Sequence, residues 1–449
     1  MKKGFLLIIL SFSLFNFSFS QDIFFIQNKK KSDKIKFKLI NNLIVIPVEI
    51  NGVTLSFLLD TGVTKPIIFN FLNVSDTLRI RNTEKIFLRG LGEGESVETL
   101  KSENNVVKIG DAIKLNQDLY AIYDTNLNFA PRLGFPVHGI IGYDLFKDLV
   151  VEINYSNRFI RLSEPYLYTY KSCNKCERLN LEFYKNKPYI NGEVNIDKKD
   201  ISVKLLIDSG GSDALWLFED DSLGIKSSNK YFNDFLGHGL SGSVYGKRSK
   251  VKTFSLKSFS LKNANVAFPD SVYVSHAKKF KNRSGSVAGN ILKRFNVIID
   301  YKRAIITLNK NRYFNDKFKY NKSGIEIAHS GFRFVKEKDN NVTNSYGVST
   351  KTDATSLAVN NRYKISLKPT YVIVELRKNS PAEKAGLRKG DIILSINNKS
   401  SYQFKLNQMI QMFYGNKGDR IKLRIERNYN IIDFKKILTF EFKLEDVFN

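Results

Sequence analysis

Apolar and polar residues alternate with a period of two over most of this chain, the pattern of strands with one buried face. Ile35, Phe37 and Leu39 alternate with Lys36 and Lys38, which predicts a strand after a loose, Lys-rich leader at 21–34. A second strand is expected from Leu43 to Ile50, a turn at Asn51-Gly52, and a third strand from Val53 to Leu59 that delivers Asp60. The pattern then returns. Tyr189-Ile190, a turn at Asn191-Gly192 and Val194 precede a strand from Ile201 to Ile207, which delivers Asp208. Each acid is followed by a hydroxyl and a glycine: Thr61-Gly62 in the first copy, Ser209-Gly210 in the second.

The repetition continues downstream in the same order. Glycine-punctuated stretches follow each acid, Leu88 to Gly94 and then Phe235 to Gly242. Next come an apolar pair and a glycine, Ile140-Ile141-Gly142 and Val287-Ala288-Gly289. Paired strands close each copy: Val150 to Tyr155 with Phe159 to Leu162, and Val297 to Tyr301 with Ile305 to Leu308. Such a period is too long for a solenoid unit and reads as two copies of a whole lobe, 36–164 and 177–312. The Tyr-rich stretch 163–178 bridges them, and 309–321 forms the exit.

The last quarter, 322–445, has a different rhythm. Tyr371 to Leu376 is an expected strand. Ser380 then caps a one-turn helix that Pro381 opens and Gly386 ends. Gly390-Asp391 turns into the strand Ile392 to Ile396. Leu406, Met409, Ile410 and Phe413 fall on one helical face, and a final strand is expected from Ile421 to Ile425. The polar stretch 338–361 reads as an insertion or mobile loop.

Composition sharpens this picture in places. With 42% hydrophobic and 13% aromatic residues the chain is that of a folded, mainly β protein. Lys2 and Lys3 precede an apolar, Ser-rich run to Ser20, which predicts a cleaved signal peptide over 1–20 and an exported protein, periplasmic or extracellular; a membrane anchor is the alternative. No other stretch is long enough to span a bilayer. The net charge of +27 comes from Lys spread along the whole chain, with no basic helix and no RNA-type aromatic motif, so no nucleic-acid partner is expected. Cys173 and Cys176 are the only cysteines and the four histidines are scattered, so no metal site is expected and a local disulfide is the default reading over a redox pair. Gly90, Gly92 and Gly94 lack the Gly-Lys-Ser/Thr ending of a phosphate loop, and Ser241 is not in a Gly-x-Ser-x-Gly elbow.

The duplicated Asp-Thr/Ser-Gly, glycine stretch and apolar-apolar-Gly set resembles the retropepsin and pepsin-like aspartic proteases over roughly residues 36–310. Ser380-Pro381-Ala382, Ala385-Gly386-Leu387 and Gly390-Asp391 make the last quarter similar to a bacterial PDZ domain. The whole chain resembles exported aspartyl proteases of the Bacteroidetes type that carry a C-terminal PDZ domain. The resemblance implies a two-lobed aspartic-protease β-barrel fold followed by a PDZ-like β-barrel with short helices. It implies an aspartic endopeptidase acting on polypeptide, as a monomer and without cofactor or metal.

Two carboxylates about 3 Å apart cannot both ionise, so Asp60 and Asp208 would share a proton and activate one water. By the same resemblance Thr61 and Ser209 bond across to the opposite loop, and Gly62 and Gly210 admit backbone to the carboxylates. Ile141, Gly142, Ala288 and Gly289 pack beneath. Gly90, Leu91, Gly92, Gly237, His238 and Gly239 belong to two flaps over the substrate. Val63 departs from the usual Ala or Ser, and residues 88–96 hold no flap Tyr. The PDZ-like part is expected to bind an extended peptide or a C-terminus by strand addition along 362–368 or 332–336. The competing reading is an inactive protease-fold scaffold whose recognition lies in that module.

Overall fold

A computed structural model describes residues 22–69, 78, 80, 83–92, 94–123, 129–278, 282–338, 363–429 and 434–448. The segments 1–20 and 339–361, read above as signal peptide and insertion, lie outside the described residues. The structure is mainly β, with short helices.

Each lobe is a closed barrel, and the two barrels are built by the same pairings. In the first, Leu43–Ile50 pairs antiparallel with Val53–Leu59, which runs parallel to Gly139–Ile141. Ile67–Ile68 comes next, parallel to Ala112–Ala121; Val97–Ile109 then returns to Leu43–Ile50. In the second lobe the same circuit runs through Lys187–Ile196, Lys199–Asp208, Gly285–Ala288, Leu215–Leu217, Phe259–Pro269 and Gly242–Leu256. The acid-bearing strand is thus paired on one side in a hairpin and on the other with the parallel apolar-Gly strand in both copies.

A third sheet holds the barrels together. Val150–Asn154 pairs antiparallel with Phe295–Asp300 through Val151↔Ile299, Glu152↔Ile298 and Ile153↔Val297. Equivalent strands of the two copies therefore meet head to tail, and the apolar core runs unbroken from one barrel through this sheet into the other.

Four sequence expectations need correction. The leader 21–34 is not loose: Phe24 and Ile26 are buried, and Phe25–Ile26 pairs with Ala112 and Ile113. The strand expected at 35–39 is two strands, Ser32–Lys36 in the shared sheet and Lys38–Ile40 in the first barrel. Asn51-Gly52 is a turn, at φ 49° and 89°, but Asn191-Gly192 is not. It lies within Lys187–Ile196, where a Cβ on Gly192 would approach the Phe254 ring to 3.1 Å. The second hairpin turns instead at Asp197-Lys198, at φ 49° and 68°. Finally, Arg420–Tyr429 is not the last strand, since Phe434–Lys443 pairs along its whole length.

The C-terminal unit has its own sheet, in the order Ile325–Lys338, Tyr363–Leu376, Ile392–Ile396, Arg420–Tyr429, Phe434–Lys443, and its own core. Ser380 Oγ accepts from Glu383 N at 3.3 Å, Pro381 is the first helical residue, and Gly386 sits at φ 98°. Leu406, Met409 and Phe413 bury one face of the helix Leu406–Phe413. Arg427 grips the buried Asp391 with two bonds, of 2.6 and 2.7 Å. Cys173 and Cys176 form a disulfide. Among the described residues no helix is long and apolar enough to cross a membrane.

Candidate active site

Asp60 follows the strand Val53–Leu59, and Asp208 ends Lys199–Asp208. The two following loops are locked together reciprocally. Thr61 Oγ1 donates to Ile207 O (2.6 Å) and accepts from Ser209 N (3.1 Å). Ser209 Oγ donates to Leu59 O (2.8 Å) and accepts from Thr61 N (3.0 Å). Both side chains are buried, and each hydroxyl has a donor and an acceptor from the other lobe, so neither carries an unsatisfied group. Geometry now supports the cross-loop bonding that the family resemblance implied for these two residues.

The carboxylates converge on glycine. Gly62 N donates to Asp60 Oδ1 at 2.7 Å. A Cβ on Gly62 would stand 3.1 Å from Asp60 Oδ1 and 3.7 Å from Asp208 Oδ1. On Gly210 it would overlap the Asp60 carboxyl carbon, 2.2 Å away. Any side chain at Gly210 would displace the Asp60 carboxyl group. Beneath them, Asp60 N donates to Ile141 O (2.8 Å), and Ala288 lies opposite Asp208 in the parallel pair. Gly142 and Gly289 leave room for backbone: a Cβ would fall 2.0 Å from Asp60 O and 2.5 Å from Asn42 O respectively.

Electrostatics divides the pair. Burial first, then the charge of Asp208, pushes Asp60 up to about 7, against the Gly62 amide, Lys187 and the Gly210 amide. Burial also raises Asp208, but Arg283 and Lys187 oppose it, with the Gly211 and Gly210 amides. Both cations were missed in the sequence. Continuing the Tyr189↔Leu206 register by two residues brings Lys187 level with Asp208; the same step from Val45↔Leu58 brings Leu43 level with Asp60. Arg283 is held by Gly285 O (3.1 Å) and Ser286 Oγ (3.0 Å) on the strand beside Asp208. Alignment of the two hairpins alone would have flagged Lys187. Nothing local marks Arg283.

The glycine stretches are hairpin ends, Thr83–Leu88 with Val97–Ile109 and Phe232–Gly239 with Gly242–Leu256. Their tips meet. Ser241 N donates to Leu91 O (3.0 Å), Gly94 N to Ser241 O (2.6 Å) and Gly90 N to Ser241 Oγ (3.0 Å). A Cβ on Gly92 would lie 2.4 Å from Ser241 backbone, and one on Gly239 would lie 2.1 Å from Leu91 O. Gly237 forms a bulge with open space around it. His238 Nδ1 is 3.3 Å from Ser243 Oγ, and its side chain helps line a cavity of about 520 Å³ with Glu98, Tyr123 and Leu240. That cavity flanks the tips and lies away from the acids. Ser241, the hub of the tip contacts, was passed over in the sequence because it lacks an esterase-type setting. Among the described residues no cluster of His, Cys, Asp and Glu is placed to hold a metal ion.

This arrangement, two equivalent barrels with one acid each at a common floor, defines the class. The Aspartyl protease family model matches residues 46–145, the part that holds Asp60, Ile141 and Gly142, and the PDZ domain model matches residues 372–427. The chain therefore carries an aspartyl protease segment of the retropepsin-like kind joined to a PDZ domain. The carboxy-terminal processing protease CtpB of Bacillus subtilis (strain 168) is 38% identical over 76 residues, 17% of this chain and 15% of that protein. CtpA of the same organism is 39% identical over 56 residues, 12% of each chain. The match thus spans less than a sixth of either relative. An aspartic proteinase from Irpex lacteus aligns over 64% of this chain and 99% of its own, with 12% identity and a TM-score of 0.38.

Proposed function

We propose that this protein is an exported aspartic endopeptidase that hydrolyses peptide bonds with a water held between Asp60 and Asp208. The observation that carries the reading is the reciprocal hydroxyl lock, which holds two carboxylates over Gly62 and Gly210. Asp60, raised to about 7, is the member that keeps the proton. Asp208, beside two cations, is the ionised member that takes a proton from water. The water attacks the peptide carbonyl while Asp60 donates to its oxygen. Proton exchange between the acids then supplies the leaving nitrogen. The flap tips, tied through Ser241, close the cleft and exclude bulk water. The run before Ser20 supports export, and the PDZ domain supports recognition of a peptide or partner terminus.

The test is digestion of an unfolded protein by the purified chain. Wild type should cleave it and be blocked by a pepstatin-type transition-state analogue, and Asp60→Asn and Asp208→Asn should each be inactive. Full activity in either single variant would end the shared-proton mechanism.

A further inference from the structure

In the C-terminal sheet Ile325–Lys338 is one of the two edge strands, paired on one side with Tyr363–Leu376 and with no described strand on the other. The helix Leu406–Phe413 lies along that strand. Lys322 N donates to Phe413 O at 2.9 Å, which fixes one end of the helix. Tyr371, level with His329, donates its hydroxyl to Phe404 O at 3.0 Å, which fixes the other. The groove therefore runs beside 325–329. Residues 332–336, expected as one possible ligand strand, continue this open edge and pair on their inner side with 365–369, as in Phe332↔Pro369 and Lys336↔Ile365, so the other expected segment, 362–368, is over its described residues largely their partner in one hairpin.

A peptide adding to this edge would meet an obstacle. The short lobe-1 helix Ala130–Leu133 rests against strand Ile325–Lys338. Gly134, which ends it at φ 63°, abuts the first residue of the groove helix: a Cβ there would lie 2.7 Å from Leu406 Cβ. Arg132 reaches Glu375 at 3.6 Å, and its guanidinium lies 4.8 Å from the ring centre of Phe235 on the second flap hairpin. The opposite side of this turn belongs to the cleft. Phe129, Leu133 and Phe135 pack in a cluster with Leu58, Val63, Leu88, Val97 and Leu240, around the first acid loop and the flap stems. Elsewhere the exit segment leading into the C-terminal unit is tied to lobe 2 by Tyr320 Oη on Ser249 O and by Asn265 Nδ2 on Lys319 O (2.9 Å), and Arg377 of the unit itself lies 4.7 Å from the ring centre of Phe232 in lobe 2.

We infer that the PDZ groove is a joint occupied by the chain's own segment 129–135, which an extended peptide with a free C-terminal carboxylate enters only by displacing that segment from the edge of 325–329. Displacement frees the turn whose other face braces Val63 and the flap stems, so groove and cleft are thermodynamically linked, and occupation of either changes affinity at the other by the same factor. The lobe-2 anchors hold the domain in place while the turn leaves. This goes beyond the peptidase reading and is tested without turnover.

The test uses the full chain carrying Asp208→Asn, so that probe peptides stay intact, and a pool of short random peptides with free C-termini. Arg132→Glu places like charge against Glu375 and should tighten pool binding by roughly tenfold or more over the parent; adding Glu375→Arg should restore the parent value. In the parent, saturating peptide should speed amide exchange at 129–135. Equal binding in all three chains, or exchange at 129–135 unchanged by bound peptide, would overturn the joint. Because neither readout needs hydrolysis, a failed digestion assay leaves this result to be judged on its own.

Discussion

The two lobes carry the same strand pairings in the same order, yet their acids sit in unlike surroundings. Asp60 stands level with an apolar Leu43; Asp208 stands level with Lys187 and beside Arg283. Duplication supplies two equal carboxylates, and a few side chains make their surroundings unequal. Symmetry is strict where geometry is needed, in the Thr61–Ser209 lock, and relaxed where charge is needed.

The comparison can be broken at several points. Removing either acid should have the largest effect: Asp60→Asn and Asp208→Asn should each lower kcat/KM by roughly 10³-fold or more. The same Asp60→Asn should stabilise the fold. A carboxyl whose pKa rises from 3.8 to about 7 on folding binds its proton more tightly in the folded chain. Its stabilisation is complete below the unfolded value and lost as pH rises through the folded one, so at about pH 8 the amide should be more stable by on the order of 2 kcal/mol in denaturant melts. Thr61→Val strips a hydroxyl from the lock and leaves Ile207 O and Ser209 N buried without partners, a cost of roughly 2–4 kcal/mol by the same melts. Ser209→Ala should cost a similar amount if the lock is symmetric. Lys187→Met removes a cation that opposes the rise of both acids, so both limbs of the pH–rate profile should move up, the acid limb by about one pH unit. Leu43→Met, the matched change in lobe 1, should leave that limb where it is. Smallest should be Gly92→Ala, which crowds the Ser241 backbone at φ 130° and should raise KM by roughly threefold to tenfold with little change in kcat.

Much of this was legible along the chain because duplication checks itself. Two acids with matched hydroxyls, glycine stretches and apolar-Gly strands constrain one barrel each. The turn at Asn51-Gly52 followed from its residues, whereas Asn191-Gly192 misled: the same dipeptide served close packing under Phe254, not a positive-φ turn. Arg283 was hidden because its approach to Asp208 is made by a strand far along the chain. Ser241 was hidden because its role depends on a second hairpin. The self-occupied groove was hidden for a similar reason, since nothing in Ala130 to Gly134 announces a partner nearly three hundred residues away at Leu406.

Central to the account is a single shared proton between Asp60 and Asp208. The most direct measurement is kcat/KM for peptide hydrolysis from about pH 3 to about pH 9, with wild type and the Lys187→Met chain side by side. A bell is predicted, with its alkaline limb near the Asp60 value of about 7 in wild type and with both limbs displaced upward in Lys187→Met. A flat profile across that range, or one that Lys187→Met leaves unmoved, would contradict the assignment of the proton.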